Sequence, residues 1–185
     1  MNVDLSPAAP WPAPAPPAGA TPVASTTLRT GTPAEAEAIW RLIDAHVAEG
    51  HLLARPLDEV RAHAPRFVVA ENDGALVACA ELLPLGRDVA EVRSLVVDRP
   101  ARGVGLGGAL IAELQRRARL EGFARLCAFT HEPAWFVRQG FSLVPHAWVP
   151  EKIARDCHAC PLFRRCGQHA VILPLAEIRR LSPGV

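Results

Sequence analysis

The chain has 185 residues, half of them hydrophobic and 21% charged, with a formal net charge of +1. A near-neutral chain of this length has room for one ordinary domain and a tail, and it carries no global field that would draw nucleic acid, an acidic partner or a membrane surface. No stretch reaches the ~20 consecutive apolar residues of a membrane-spanning helix.

Residues 1–24 set Pro7, Pro10, Pro12, Pro14, Pro16, Pro17 and Pro22 among alanines, without a basic residue or a continuous apolar run. A secretory leader needs both, so the segment is expected to be a disordered, polyproline-like tail, with Trp11 solvated rather than docked. The five cysteines, without an export signal, point to a reducing, cytoplasmic setting rather than a disulfide scaffold. Cys79 and Cys127 fall inside apolar strand-like runs and are expected to be inert core residues.

The domain is expected over residues 25–176, followed by a C-terminal tail at 177–185. A short strand at 26–29 opens it. Thr32-Pro33-Ala34-Glu35 then reads as a helix start, with Thr32 as cap, Pro33 in the first helical position and Glu35 closing a capping box. Ala36, Ile39, Trp40, Ile43 and Val47 follow at helical spacing, and Gly50 ends the helix. A second helix is expected over 57–63, halted by Pro65. Residues 66–71 and 75–83 read as strands joined by the hairpin turn Asn72-Asp73-Gly74. Gly86-Arg87-Asp88 makes the next turn, and Val89–Val97 a fourth strand. A helix from about Gly108 to Glu121 carries Leu110, Leu114 and Ala118 on one face and stops at Gly122. A strand at 125–130, a short helix at 134–139 closed by Gly140, and strands at 141–144 and 170–175 complete the domain. The order β-α-α-β-β-β-α-β-α-β-β is expected to give an α/β (α+β) fold, with a mixed sheet and helices on both faces.

Between the fourth strand and its helix lies Arg102-Gly103-Val104-Gly105-Leu106-Gly107, followed by Gly108. Glycines let the backbone turn and approach a ligand closely, and the freed N–H groups point from the helix mouth, where the dipole adds positive charge. With Arg102 as a further cation, that arrangement suits a pyrophosphate. A dinucleotide site would need this loop in an early βαβ unit with an acid about twenty residues on, and a Walker loop would need Gly-Lys-Ser/Thr. Neither is met.

The match of Arg102, Gly105 and Gly107 to Arg/Gln-x-x-Gly-x-Gly/Ala makes residues 26–175 resemble the GNAT acetyltransferase superfamily. The resemblance implies a mostly antiparallel GNAT sheet and acetyl-CoA as cosubstrate. Its pyrophosphate would lie on Arg102 to Gly108, and its pantetheine arm along Leu95, Val96 and Val97, where the fourth strand would splay from its neighbour. A narrower resemblance rests on Glu49 to Arg55 (EGHLLAR), Ala90 to Val97 (AEVRSLVV), Trp135 to Phe141 (WFVRQGF), and Val149-Pro150-Glu151-Lys152 leading into Asp156-Cys157-His158-Ala159-Cys160-Pro161. These segments look like the acetyltransferase domain of N-acetylglutamate synthase, closest to its short form. That form lacks an amino-acid-kinase domain, so no feedback through such a domain is expected.

This resemblance implies acetyl transfer to the α-amine of L-glutamate, the first step of arginine biosynthesis. Glu91 is the expected base, acting through water, with a carboxyl raised by partial burial; a structural ion pair with Arg93 is the competing reading. Thr130 would place a hydroxyl near the substrate. Arg55, Arg93, Ser94, Lys152 and Arg155 would receive the amino acid's carboxylates, for which bidentate arginine is suited. Many GNAT enzymes protonate the leaving thiolate with a tyrosine, and this chain has none; Trp135 and Phe136 occupy that region. Cys157-x-x-Cys160 with Cys166, and His158 or His169 as a fourth ligand, has the make-up of a zinc site. A single C-x-x-C is weaker than two paired knuckles, so reduced structural thiols are preferred, with a redox switch as a third reading. Acetylation of another small amine (glutamine) or a peptide N-terminus, and a non-catalytic acetyl-CoA-binding sensor, are the alternatives. A homodimer is compatible with the sequence.

Overall fold

The computed structural model describes residues 26–50 and 52–175. The expected tails, Trp11 and His51 lie outside these residues. The Thr32 signal folds as its chemistry requires: the backbone N–H and hydroxyl of Thr32 donate to the Glu35 carboxylate at 3.0 and 2.7 Å. This capping box opens a 3-10 turn at Pro33–Glu35 that runs into helix α1 (Ala36–Val47). The elements that follow are α2 (Leu57–His63), β2 (Phe67–Asn72), β3 (Ala75–Pro84), β4 (Val89–Val97), α3 (Leu106–Leu120), β5 (Arg125–Thr130), α4 (Pro133–Arg138), β6 (Ser142–Val144), α5 (Pro150–Lys152) and β7 (His169–Pro174). Strand β1 (Thr27–Thr30) precedes them all, and α5 continues as a π-helical turn at Ile153–Cys157.

The strands form one sheet in the order β1-β2-β3-β4-β5-β7-β6. Every neighbouring pair is antiparallel except β4 and β5, which are parallel. Alternating side chains separate two faces. On one, Val68, Ala80, Leu82 and Val92 pack with Leu110, Ile111 and Leu114 of α3 and with Phe136 of α4. On the other, Phe67, Val69, Cys79 and Val96 pack with Ile39 and Ile43 of α1 and Val60 of α2. A smaller cluster of Val89, Cys127, Val149 and Ile172 lies beyond it. Cys79 and Cys127 are both fully buried.

Most boundaries shift by about a residue from those expected, and two of the shifts have a cause in packing. Helix α3 begins at Leu106, so Gly107 and Gly108 belong to its first turn. The left-handed backbone of Gly105, φ +89°, turns the chain straight into the helix. A Cβ at Gly107 would stand 3.0 Å from the Trp135 ring, so close packing between α3 and α4 holds a glycine where helix propensity disfavours it. Strand β6 begins at Ser142 rather than at 141, because the Phe141 N–H donates to the Phe136 carbonyl at 3.1 Å and its ring sits edge-on to Phe136 in the core.

Strand β4 carries the distortion that matters most. Cys79 faces Val96 across β3–β4, but Glu81 faces Arg93, so Ser94 and Leu95 together oppose Ala80. Ser94 takes a positive φ of +50° at this bulge. Before it Ala90 and Val92 join the α3-side core; after it Leu95 and Val97 do. The extra residue resets the alternation and bends the strand.

Candidate active site

Strand β5 pairs with β7 along its whole length, from Arg125 opposite Pro174 to Thr130 opposite His169. It pairs with β4 only over Val89–Glu91 against Arg125–Cys127. Beyond Glu91 the two parallel strands part, as the family resemblance implied. The gap is a cavity of about 750 Å³, whose walls include Glu91, Arg93, Val97, Gly105, Thr130 and Lys152.

At one end of this cavity the chain turns through Gly103 and Gly105, with φ of +84° and +89°, into the N-terminus of α3. The first intrahelical hydrogen bond runs from Ala109 N–H to the Gly105 carbonyl at 3.0 Å. The N–H groups of Leu106, Gly107 and Gly108 therefore have no acceptor within the helix, which is how a helix mouth receives an anion. Leu95, Val96, Gly107 and Gly108 also line the cavity, and Leu106 packs into the core beneath, while Val104 is exposed. Arg102 does not point freely into this mouth. Its Nε donates to the Val97 carbonyl at 2.9 Å, and its Nη2 meets both carboxylate oxygens of Glu49 at 3.0 and 3.2 Å. Arg99 Nε reaches the same carboxylate at 2.8 Å.

Deeper in, where β4 and β5 part, Glu91 is only 3% exposed. The Lys152 ammonium stands 2.8 and 2.9 Å from its two oxygens and 2.7 Å from Asp156 Oδ2. The wide turn after α5 holds Lys152 and Asp156 together, a distortion found often at functional sites. Burial pushes the Glu91 carboxyl above its usual range, with Lys152 opposing. Against the lowering effect of burial, Glu91 and Asp156 hold the Lys152 ammonium above its ordinary value. The Phe129 ring lies 5.5 Å from Lys152 Nζ. The Glu91–Arg93 ion pair, the competing reading of Glu91, is not formed; Arg93 leans toward Glu59 at 3.6 Å instead.

Arg55 is 6% exposed and lines the cavity from the loop before α2. Trp40 of α1 anchors that loop by donating its indole N–H to the Arg55 carbonyl at 2.9 Å. The guanidinium donates to Glu81 at 2.5 Å, Glu59 at 2.7 Å and the Ser94 hydroxyl at 3.1 Å. Glu81 is wholly buried and also lies 2.7 Å from His63 Nδ1. Ser94 is thus brought to Arg55 by the bulge.

Of the other expected site residues, Thr130 lines the cavity and its hydroxyl accepts the Glu132 N–H at 2.9 Å, capping the turn into α4. Arg155 is not brought to the cavity; it donates to the Pro84 carbonyl at 2.5 Å. Cys157, Cys160 and Cys166 carry free thiols, and no group of three or more His, Cys, Asp or Glu side chains converges as a metal site among the described residues. That gives zinc no support. Among the described residues no helix is long and apolar enough to cross a membrane.

Sequence reasoning passed over Glu49, Glu59, His63 and Glu81 as site residues. Glu81 did leave a signal, a lone carboxylate inside the apolar run of β3 that needs a buried partner. Glu49, Glu59 and His63 lie on helix ends, where charged residues are ordinary.

A family model described as the acetyltransferase (GNAT) family matches residues 34–141. An uncharacterised N-acetyltransferase of Chlorobaculum tepidum is 30% identical over 154 residues, covering 83% of this chain and 99% of that protein. An amino-acid acetyltransferase of Neisseria meningitidis is 32% identical over 135 residues, 72% of this chain and 29% of its own length. N-acetylglutamate synthase of Neisseria gonorrhoeae, solved with coenzyme A and N-acetyl-glutamate, superposes with a TM-score of 0.75 at 27% identity, over 83% of this chain and 36% of that one. The chain therefore spans about a third of the two Neisseria proteins.

Proposed function

The chain belongs to the GNAT family and is an N-acetyltransferase, and from that premise we propose that it moves the acetyl group of acetyl-CoA to the α-amine of L-glutamate. This is the reaction that opens arginine biosynthesis. The observation that carries the reading is the single cavity that joins a helix mouth fit for a pyrophosphate to a buried carboxylate, Glu91, with Arg55, Arg93 and Lys152 on its walls.

Acetyl-CoA, when bound, supplies an activated acetyl group. The N–H groups of the α3 mouth and the parted edge of β4 would hold it, with no side chain at Gly105 or Gly107 in the way. The acceptor's amine must be neutral to attack. A desolvated carboxylate is a better base than a solvated one, so Glu91 takes the amine proton, directly or through water. Lys152 keeps Glu91 placed at the strand gap and, with Arg93, offers positive charge to the acceptor's carboxylates. Arg55 contributes its fixed guanidinium from the α2 side, where Nε has no hydrogen-bond partner among the described residues. A backbone N–H of β4 meets the oxyanion. Phe136 and Trp135 offer no proton, so the thiolate, a tolerable leaving group with a thiol pKa of ~8.5, is protonated by water.

The test is thiol release from acetyl-CoA across a panel of amino acids and short peptides. Saturable turnover with glutamate, and little with the rest, is expected. Saturation with glutamine or a peptide N-terminus instead would reassign the acceptor, and a flat response to every amine would overturn the reading.

A further inference from the structure

We propose that Glu49 sets the cofactor affinity of this site: its carboxylate is an internal counter-ion to Arg99 and Arg102 that the phosphates of the incoming cofactor must displace. The proposal rests on acetyl-CoA occupying the α3 mouth. Glu49 stands just past the end of α1, held in place by its N–H to the His46 carbonyl and by the next turn, where Gly50 adopts a φ of +82°. From there its side chain, 20% exposed, reaches across to the loop before α3 and lines the same cavity as Gly103 and Gly105. Two guanidinium groups close on one carboxylate, at 2.8 Å from Arg99 and 3.0 Å from Arg102. They hold that carboxyl below its usual range, so it stays ionised at neutral pH.

An anion entering the mouth meets this geometry in two ways. It is repelled by a fixed negative charge, and Arg102 on the cavity wall, like Arg99 three residues before it, is already paired with Glu49. Arg102 is also tied through Nε to the Val97 carbonyl, so it keeps its place when Glu49 lets go and only its terminal nitrogens change partner. The attraction the two cations show a phosphate is therefore reduced by what Glu49 already takes. A site so balanced also releases spent coenzyme A more readily, because the carboxylate is at hand to recover both arginines.

Calorimetric titration of CoA and of acetyl-CoA onto the full chain tests this without any acceptor. In Glu49→Gln, which keeps the side-chain length and loses the charge, both dissociation constants are expected to fall about three- to tenfold. The fall should shrink as salt is raised. Unchanged or weaker binding in a variant that melts like the native chain would overturn the proposal. Arg99→Gln gives a second reading should Glu49→Gln fold poorly. It leaves the carboxylate with Arg102 alone, and CoA should then bind at least threefold more weakly; no change would again overturn the idea. A native chain that binds no CoA at all sinks the cofactor reading itself, and this proposal with it.

Discussion

Glu91 is held between two influences of opposite sign. Burial favours its neutral form, and the ammonium of Lys152 favours the charged one. Because burial is the larger, the carboxyl ionises above the ordinary range of about 4.3. A base must be ionised, so kcat/KM should rise with pH through that elevated value. For the same reason, whatever stability the neutral carboxyl contributes is present below the ordinary value and lost as pH rises through the folded one. Glu91→Gln is expected to lower kcat by ~10²–10⁴ and to abolish the acidic limb of the profile. Lys152→Met should preserve the limb but shift it to higher pH, since the opposing cation is gone. A limb that stays put in Lys152→Met would show that this pair does not control the base. Glu91 and Lys152 could be picked out from their own segments, but their bond could not. They lie 61 residues apart and meet only because α5 folds back over the gap between β4 and β5.

At the scale of elements, most helices and strands followed from local signals; α5 and its π-helical turn were not expected, and the exceptions in β4 and α3 share one cause. Capping at Thr32, the Asn72-Asp73-Gly74 turn and the periodicity of α1 and α3 are short-range chemistry, and the elements they announce are all present. The bulge at Ser94 and the two glycines inside α3 depend on what packs against them from elsewhere, so no window of sequence announces them. They are also what builds the site: the bulge delivers Ser94 to Arg55, and Gly107 lets Trp135 close on the helix mouth. The loop itself tolerates little change. Alanine at Gly105 must adopt a left-handed φ of +89°, at a cost of ~1–2 kcal/mol. In a domain of this size that lowers Tm by about 2–8 °C. Because Gly105 also caps α3, Gly105→Ala should weaken CoA binding by more than its stability loss alone would suggest. Native-like CoA affinity in a folded Gly105→Ala protein would separate the loop from the cofactor.

For the molecule as a whole, Arg55 joins the substrate side of the site to the stability of the fold. It ties the loop before α2 to β3 and to the β4 bulge, and its charge is the main counterweight to a wholly buried Glu81. Removing one member of a buried pair leaves the other uncompensated, at a cost of ~3–5 kcal/mol, or about 6–20 °C in Tm at 2–4 °C per kcal/mol for a domain of 150 residues or more. A loss of activity in Arg55→Ala would therefore be ambiguous, since a partly unfolded enzyme and an enzyme without a carboxylate receptor look alike. The double variant Arg55→Leu/Glu81→Leu separates them. With both charges replaced by apolar groups, most of the lost Tm should return, as it does where buried ion pairs are exchanged for packing. The receptor would still be missing. If Arg55 binds the acceptor, the double variant should keep a native-like acetyl-CoA KM and show an acceptor KM raised at least tenfold. An acceptor KM that recovers together with Tm would place Arg55 in the fold and leave carboxylate recognition to Arg93 and Lys152.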